Sequence, residues 1–154
     1  MNFEGRVEAI HLIPRRGAAP QPVEAARAVA DQGLEGDRKF GDTARDGTPR
    51  PFNAITLIEA EALEAAAADY DLDLPPGGSR RNVTVRGVPL NHLVGRRFRL
   101  GDALIEGYEL CEPCAHLEKL TGQPVRKALV HRGGLRAYVV GTGEVKVGDA
   151  VRPA

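Results

Sequence analysis

The residues of this sequence most able to do chemistry are its two cysteines, Cys111 and Cys114. A thiolate is both a strong nucleophile and a soft metal ligand, so either residue can react with a substrate or bind a metal. The two are too close together for an ordinary structural disulfide in a chain that has no other Cys. The spacing therefore predicts a chemical role for the segment Cys-Glu-Pro-Cys at 111–114.

The sequence around the two cysteines predicts that they lie between a strand and a helix. A strand-like run ends at Leu110, and Pro113 is a typical first residue of a helix. Unpaired backbone N–H groups at the start of a helix stabilise a nearby thiolate. Three interpretations stay open: a redox dithiol, two ligands of a structural zinc, or one functional thiolate beside an incidental second Cys. A buried structural pair of thiols is a fourth.

Position and spacing weigh against two of these interpretations. A redox Cys-x-x-Cys motif normally follows the first strand of a βαβ unit, whereas this one comes about three-quarters of the way along the chain. A structural zinc site needs two more ligands, and only His116 and His131 lie downstream.

An arginine-rich stretch without acidic residues, between positions 74 and 101, predicts a local anion-binding site. The whole chain has no net charge, with 21 basic and 21 acidic residues, so nothing global indicates nucleic acid or an anionic membrane as partner. The alternative is that the stretch reflects composition, because most of the basic residues in the chain are Arg. The arginines concerned are Arg80, Arg81, Arg86, Arg96, Arg97 and Arg99.

Length and composition predict one domain of a β-rich class. The 154 residues are 42% apolar and 27% charged, which is typical of a globular protein. The 18 Gly and 11 Pro favour many short elements joined by turns. No run of about 18 apolar residues occurs, and charged residues occupy the place where a signal peptide would be apolar. We therefore expect a cytoplasmic protein without a membrane segment.

Hydrophobic alternation and turn residues predict a mostly β barrel with two or three short helices. Residues 23–29 fit either a strand or a short helix. A hairpin turn is predicted at 141–143, and the loop 41–51 is a candidate rim of an active site. Strands are predicted at 5–13, 54–57, 82–86, 97–100, 103–110, 135–140 and 145–151, and helices at 59–69, 113–120 and 125–130.

Four short segments, read together, carry a family resemblance. They are Gly-Leu-Glu-Gly-Asp-Arg at 33–38, Ser-Arg-Arg-Asn-Val-Thr-Val at 79–85, Cys-Glu-Pro-Cys at 111–114 and Arg-Gly-Gly-Leu-Arg-Ala at 132–137. In this order and spacing they resemble the MOSC domain family. This family includes the C-terminal domain of molybdenum cofactor sulfurases and also occurs as small stand-alone bacterial proteins.

The resemblance implies one MOSC domain over residues 1–154, folded as a β-barrel related to the barrel domain of pyruvate kinases. It also implies a pocket for the molybdenum cofactor, molybdopterin, in which Cys114 matches the functional cysteine of the family and binds the metal. In larger relatives this thiolate acts in the reduction of N-hydroxylated compounds. We therefore expect a reductase of N-hydroxylated small molecules or a cofactor or sulfur carrier, served by a separate electron-donor or sulfur-donor protein.

The resemblance also implies a set of cofactor-binding residues. An Arg fork suits the cofactor's phosphate better than Lys would. Asp37 is expected to orient Arg38 or the edge of the pterin, and two adjacent glycines are expected to let the backbone approach the cofactor closely. The cofactor-binding residues expected are Arg81, Asn82, Arg80, Arg38, Asp37, Gly133 and Gly134.

Two positions depart from the family pattern. Many members carry His after the Gly-Asp-Arg step, whereas this chain has Lys39 and Phe40. The second Cys, Cys111, is not needed by the family mechanism, although it can resolve an oxidised or persulfidated Cys114 by forming a disulfide. The alternative function is therefore a non-catalytic, redox- or zinc-responsive binding module that uses both cysteines.

Overall fold

Seven strands close into a barrel in the computed structural model, which describes residues 1–154. The chain has eleven strands in all, and they are β1 (Gly5–Leu12), β2 (Gln21–Val23), β3 (Ala25–Val29), β4 (Gly33–Leu34), β5 (Ile55–Glu59), β6 (Val83–Arg86), β7 (Arg97–Leu100), β8 (Ala103–Leu110), β9 (Leu135–Gly141), β10 (Gly143–Lys146) and β11 (Ala150–Pro153). The α-helices are α1 (Ala60–Tyr70), α2 (Ala115–Thr121) and α3 (Val125–Ala128), and single 3₁₀ turns occur at Pro51–Asn53 and Leu90–Leu93.

The barrel closes because β11 pairs with two strands, β7 on one side and β1 on the other. The order around the barrel is β1, β6, β5, β9, β8, β7 and β11. All neighbours are antiparallel except β5 and β6, which run parallel and are joined by the crossover that contains α1. A separate three-stranded sheet contains β10, β3 and β4.

Alternating apolar side chains fill the barrel with a core of 21 buried residues. In β7, Phe98 and Leu100 are fully buried, and the arginines that alternate with them are exposed. In β1, a register shift between Val7 and Ala9 lets both Val7 and Ile10 enter the core although they lie three positions apart. The core therefore depends on a bulge as well as on simple alternation.

A second apolar cluster attaches the helices to the outside of the barrel at β5. Ile58 of β5 contributes to it, together with Ala66 of α1, Leu117 of α2 and Leu129, which follows α3. These residues are almost completely buried, so the cluster fixes the position of α2 relative to the barrel. The cysteine segment, which leads into α2, is positioned with it.

The structure confirms the predicted fold class, since strands predominate and three α-helices accompany the barrel. Residues 23–29, which fitted a strand or a helix, lie in β2 and β3. Buried Ala26 and Ala28 alternate there with exposed Arg27, which is the period of a strand. No helix of the protein is long and apolar enough to span a membrane.

The predicted hairpin at 141–143 is wrong. The strand that follows this turn, β10, pairs with β3 instead of β9, and the expected strand at 145–151 is divided by a turn at Gly148. A side chain at Gly143 would collide with the backbone of Asp102, so the chain passes close to the β7–β8 turn and leaves β9. The sequence alone did not distinguish a glycine needed for close packing from a glycine needed for a hairpin turn.

Candidate functional site

A cavity of about 170 Å³ lies beside the cysteine segment. It brings together six of the eight residues expected at a site, namely Cys114, Arg81, Asn82, Arg80, Arg38 and Asp37. Residues that were not expected there also line it, among them Lys39, Asn53, Thr56, Cys111, His116 and Arg136. Segments that are far apart in the sequence therefore converge on one small cavity.

The two cysteines line the same cavity but differ in exposure. Cys114 is exposed and is the N-cap residue of α2, which begins at Ala115, two residues after the predicted start at Pro113. Cys111 is only 3% exposed, and its backbone N–H donates a hydrogen bond to the carbonyl of Gly134 at 2.7 Å. Both thiols are free. Cys114 is the thiol that an external molecule can reach.

Positive charge dominates the walls of the cavity. Five cationic side chains face it, and the only carboxylate among the lining residues is Asp37. Burial and the neighbouring Arg38 lower the pKa of Lys39, and the same two causes lower the pKa of Arg80. Arg38 thus destabilises the charges of Lys39 and Arg80, so a bound anion would relieve this repulsion. The five cations are Arg38, Lys39, Arg80, Arg81 and Arg136.

Asp37 and Asn82 form a buried hydrogen-bonded pair behind the cations. Asp37 accepts hydrogen bonds from the backbone N–H groups of Ile13 (2.9 Å) and Lys39 (3.1 Å) and from the Asn82 side chain (3.0 Å). The other donor of the Asn82 amide bonds the carbonyl of His11 at 3.1 Å, and its oxygen accepts from Thr56. Both side chains are thus occupied by the protein, and Asp37 orients the backbone of Lys39 instead of Arg38.

Arg81 is a buried cation whose partners are backbone carbonyls. Its Nε donates to Gly133 at 2.8 Å, one Nη donates to Cys111 at 3.0 Å, and the other reaches Ser79 at 3.4 Å. Three of the five N–H groups of a guanidinium are therefore directed at backbone, which leaves at most two for a ligand. Arg81 ties the cysteine segment to the strand β6 and to the start of β9.

Comparison with protein families identifies the chain. A sequence model described as the MOSC domain matches residues 36–152 of the 154-residue chain. The chain belongs to the MOSC domain family. The match includes nearly all of the segments from which the resemblance was inferred, and it confirms that inference. Comparison with curated proteins finds no sequence match.

Solved structures with the same fold include small bacterial proteins. YuaD from Bacillus subtilis superposes with a TM-score of 0.83 at 17% identity, over 99% of this chain and 96% of that one. YiiM from Geobacillus stearothermophilus gives 0.75 at 18% identity, over 97% and 75% of the two chains. YiiM from Escherichia coli gives 0.67 at 19% identity, over 100% and 70%. At these identities the likeness shows that the fold is shared.

In this MOSC protein, Arg80 is held in the cavity by a strained backbone. Its φ is +59°, a left-handed conformation that is uncommon for a residue with a side chain. One Nη donates to the carbonyl of Ala18 at 2.8 Å, and no carboxylate pairs with the guanidinium. Such strain costs on the order of 1–3 kcal/mol and is concentrated at functional sites.

The arginine-rich stretch was only a partial guide to the cationic cavity of this MOSC protein. Of its six arginines only Arg80 and Arg81 line the cavity. Arg86 pairs with Glu8 and Glu64, and Arg97 pairs with Glu106 at 3.1 Å, both outside the cavity. Of the other cations, Arg38 was expected from its motif segment, whereas Lys39 and Arg136 were not expected in the cavity. The motif segments were the better signal, since Arg136 lies within the one at 132–137.

Gly133 and Gly134 allow the protein's own backbone to pack closely, and neither lines the cavity. A Cβ at Gly133 would come within 2.5 Å of the carbonyl oxygen of Cys111 and 2.9 Å of the Pro113 ring. A Cβ at Gly134, where φ is +113°, would collide with the carbonyl of Leu57. This corrects the expected close approach to a cofactor. What approaches the glycines is the cysteine segment and β5.

The zinc interpretation of the cysteine pair finds no ligand set in this MOSC protein. Nowhere in the structure do three or more His, Cys, Asp or Glu side chains come together as metal ligands. His131, one of the two histidines considered as ligands, lies on the surface beside Glu112.

The loop 41–51, which was predicted as a candidate rim of an active site, does not itself line the cavity, although residues on both sides of it do.

Alkylation of the native protein with iodoacetamide tests the difference between the thiols. We expect Cys114 to react at least about tenfold faster than Cys111, because Cys111 must first be exposed by local opening of the structure. Mass spectrometry of peptides from timed samples measures both rates. In urea the two rates should converge, and equal rates in the native protein would contradict the burial of Cys111.

Replacement of Gly134 by Ala tests the packing behind the cysteine segment. We expect the free energy of unfolding to fall by about 3 kcal/mol or more, because the new methyl group meets the Leu57 carbonyl in a disfavoured backbone conformation. Gly148→Ala is the matched control, since φ is +94° there but no atom lies within 4 Å of the new Cβ. It should lose only about 1–2 kcal/mol. Urea denaturation measures both values, and equal losses would refute the close contact.

Proposed function

We propose that this MOSC protein binds the molybdenum cofactor, with Cys114 as a thiolate ligand of the metal. The observation that carries the proposal is the presence of an exposed thiol in the same cavity as five cations. A soft thiolate suits a molybdenum already held by sulfur ligands, and Arg and Lys suit the phosphate of the cofactor. The soft metal and the anionic phosphate of the cofactor would thus each meet a matching side chain in the same cavity.

The residues present fit the cofactor in charge and in donor type. The cavity, at about 170 Å³, is smaller than the roughly 300–1,000 Å³ of a pocket that encloses a whole small molecule. It suits the metal-bearing end or the phosphate, with the rest of the cofactor at the surface. In this arrangement Cys114 holds the metal, and Arg38, Lys39 and Arg80 hold the anionic groups.

Buried polar residues would position these ligands without touching the cofactor extensively. Asn82 has no free amide donor, and Asp37 directs the backbone of Lys39 towards the cavity. Arg81 holds the backbone at Cys111 and so fixes the start of the segment that ends at Cys114. We therefore assign Arg81, Asn82 and Asp37 as positioning residues in this proposal.

Two activities are compatible with such a site, and the first is reduction of N-hydroxylated small molecules. When bound, the cofactor supplies two-electron chemistry at the metal. Reduction of a hydroxylamine to an amine consumes two electrons and two protons and releases water. Lys39 is suited to donate one proton, because burial and Arg38 lower its pKa. The electrons would come from a separate donor protein.

The second activity is carriage of the cofactor or of sulfur. Cys114 is exposed, so a partner protein can reach its sulfur directly. In this case the cationic cavity would hold the cofactor for transfer, and a separate sulfur-donor protein would be the partner. Turnover distinguishes the two activities.

A non-catalytic redox module is the second candidate function, and one observation favours it: Cys111 and Cys114 are both free and line one cavity. A reversible disulfide between them would regulate access to the cations. This candidate predicts that Cys111→Ser and Cys114→Ser lose function equally, whereas metal ligation by Cys114 predicts unequal losses.

Reconstitution of the apo-protein with molybdenum cofactor tests the ligand assignment. We expect Cys114→Ser to retain much less molybdenum than the wild type, because a hydroxyl is a poor ligand for a soft metal. Cys111→Ser is the matched control and should load normally. Metal content after gel filtration is the measurement. Wild-type loading in Cys114→Ser would refute ligation, and equal losses in both variants would favour the redox module.

Neutralisation of single cations tests the anion-binding part of the proposal. Arg38→Gln and Lys39→Gln should each weaken cofactor binding about tenfold or more, because each removes a charge-assisted hydrogen bond in a partly buried cavity. Arg97→Gln removes an exposed arginine outside the cavity and should bind like the wild type. Fluorescence of the bound pterin measures the affinities, and similar affinities in all three variants would contradict the assignment.

Turnover of an amidoxime with an artificial electron donor separates enzyme from carrier. If the reconstituted protein is a reductase, we expect amidine to form, and Lys39→Gln should lower kcat per bound molybdenum about 10²-fold because it removes a general acid. Chromatography of the product is the measurement. Full molybdenum loading without any product would identify a carrier.

A further inference from the structure

Exposed cations border the cationic cavity outside its lining. The loop 14–20 lies beside the cavity, because the carbonyl of Ala18 accepts a hydrogen bond from the lining residue Arg80 at 2.8 Å. Two exposed side chains, Arg15 and Arg16, lie on this loop, and neither lines the cavity. A molecule that only fills the cavity therefore leaves the charges of this loop in solvent.

The helix α2 borders the cavity on the side of Cys114. His116 and Leu120 of this helix line the cavity and are exposed. Lys119 lies between them in the sequence and is also exposed, but it does not line the cavity. The helix thus adds a further cation to the border of the cavity, close to the reactive thiol.

The exposed cations at this border have no carboxylate partner. Other exposed arginines, such as Arg50 and Arg126, are paired with a carboxylate. Because the whole chain has no net charge, the excess of cations here is balanced by carboxylates elsewhere on the protein. The electric field of the protein therefore turns this side towards an acidic molecule. The unpaired cations are Arg15, Arg16, Arg38 and Lys119.

Exposed apolar side chains lie beside the same cavity. Leu120 is 45% exposed although it is a large apolar residue. Phe52 precedes the lining residue Asn53, and its ring contacts that of Tyr108 with 4.9 Å between the centroids. Both rings are exposed. Aromatic side chains and Arg are the residues in which protein interfaces are enriched, so this side of the molecule has the composition of an interface.

Charge and position restrict what can cover this side of the protein. A small anion inside the cavity would not reach Arg15 or Arg16. A second copy that used the same face would bring a second set of unpaired cations, which repel the first. Nucleic-acid-binding domains are usually strongly basic, whereas this chain has no net charge. The remaining class of occupant is an acidic protein.

We propose that the border of the cationic cavity docks the acidic surface of a partner protein. We call this border the docking face, and the partner's reactive group would meet Cys114 there. The inference rests on the proposed function, because the partner would be the electron or sulfur donor. Transient complexes of this kind bury little area, and complementary charge speeds their formation. The docking face contains Arg15, Arg16, Arg38, Lys119, Leu120, Phe52 and Tyr108.

Binding of a short polyglutamate peptide to the full-length apo-protein tests the docking face. We expect fluorescence anisotropy to show binding at low salt that weakens about tenfold at physiological ionic strength, because exposed charges are screened. The bound peptide should slow alkylation of Cys114 by iodoacetamide, whereas polylysine should not. Absence of binding at low salt, or binding that leaves Cys114 equally reactive, would overturn the proposal. Tighter binding of single-stranded DNA of equal charge would also overturn it, in favour of nucleic acid.

Two double variants locate the peptide on the protein. Arg15→Gln/Arg16→Gln should bind polyglutamate about five- to tenfold more weakly, because two exposed cations are lost. Arg96→Gln/Arg99→Gln is the matched control, since both arginines are exposed and neither they nor any residue of β7 line the cavity. The control should bind like the wild type. Equal affinities of the two double variants would show that the peptide does not bind at the docking face.

A peptide in which Leu residues interrupt the same number of Glu residues tests the apolar part of the docking face. It should bind more tightly than polyglutamate, and Leu120→Ser should remove the difference. Equal binding of both peptides by the wild type would contradict docking of a protein surface. All of these measurements use the apo-protein. Failure to load molybdenum therefore refutes the cofactor proposal alone, and failure to bind the peptides refutes the docking face alone.

Discussion

A buried guanidinium without a carboxylate is the constraint on which the candidate site depends. Arg81 can remain charged inside the protein only because backbone carbonyls surround it, and these belong to the cysteine segment and to the start of β9. The start of β6 beside Arg81, the cysteine segment and the start of β9 must therefore meet in one arrangement. If any of them shifts, a buried charge loses its partners, which is a strong penalty against alternative packings.

The residues that line the cavity are of two kinds. Asp37, Asn82 and Arg81 are buried and hydrogen-bonded to the protein, and they fix the geometry. Cys114 and Arg38 are exposed, and they carry the groups that can meet another molecule. An arrangement of this kind keeps cations close together despite their repulsion, because the buried hydrogen-bonded network behind them holds the backbone in place.

Many of the strands and helices could be predicted from the sequence, since local residue patterns determine them. Alternation in 97–100 and 103–110 located β7 and β8 at their observed bounds. Partners across long separations could not be predicted. Gly133 and Gly134 looked like ligand-binding glycines because a sequence does not show which backbone approaches a missing Cβ. For the same reason the sequence did not predict that Arg136 lines the cavity or that β10 pairs with β3.

The closure of the barrel by β11 has a consequence for how the chain folds. Because β1 pairs with β11, the first barrel strand of this sequence must find the last one before the ring is complete. Until then the start of β1, at Gly5 and Arg6, and the edge of β7 are unpaired, and other chains can add there. Contacts of such large sequence separation make folding slow, so the open barrel is vulnerable to aggregation until β11 adds.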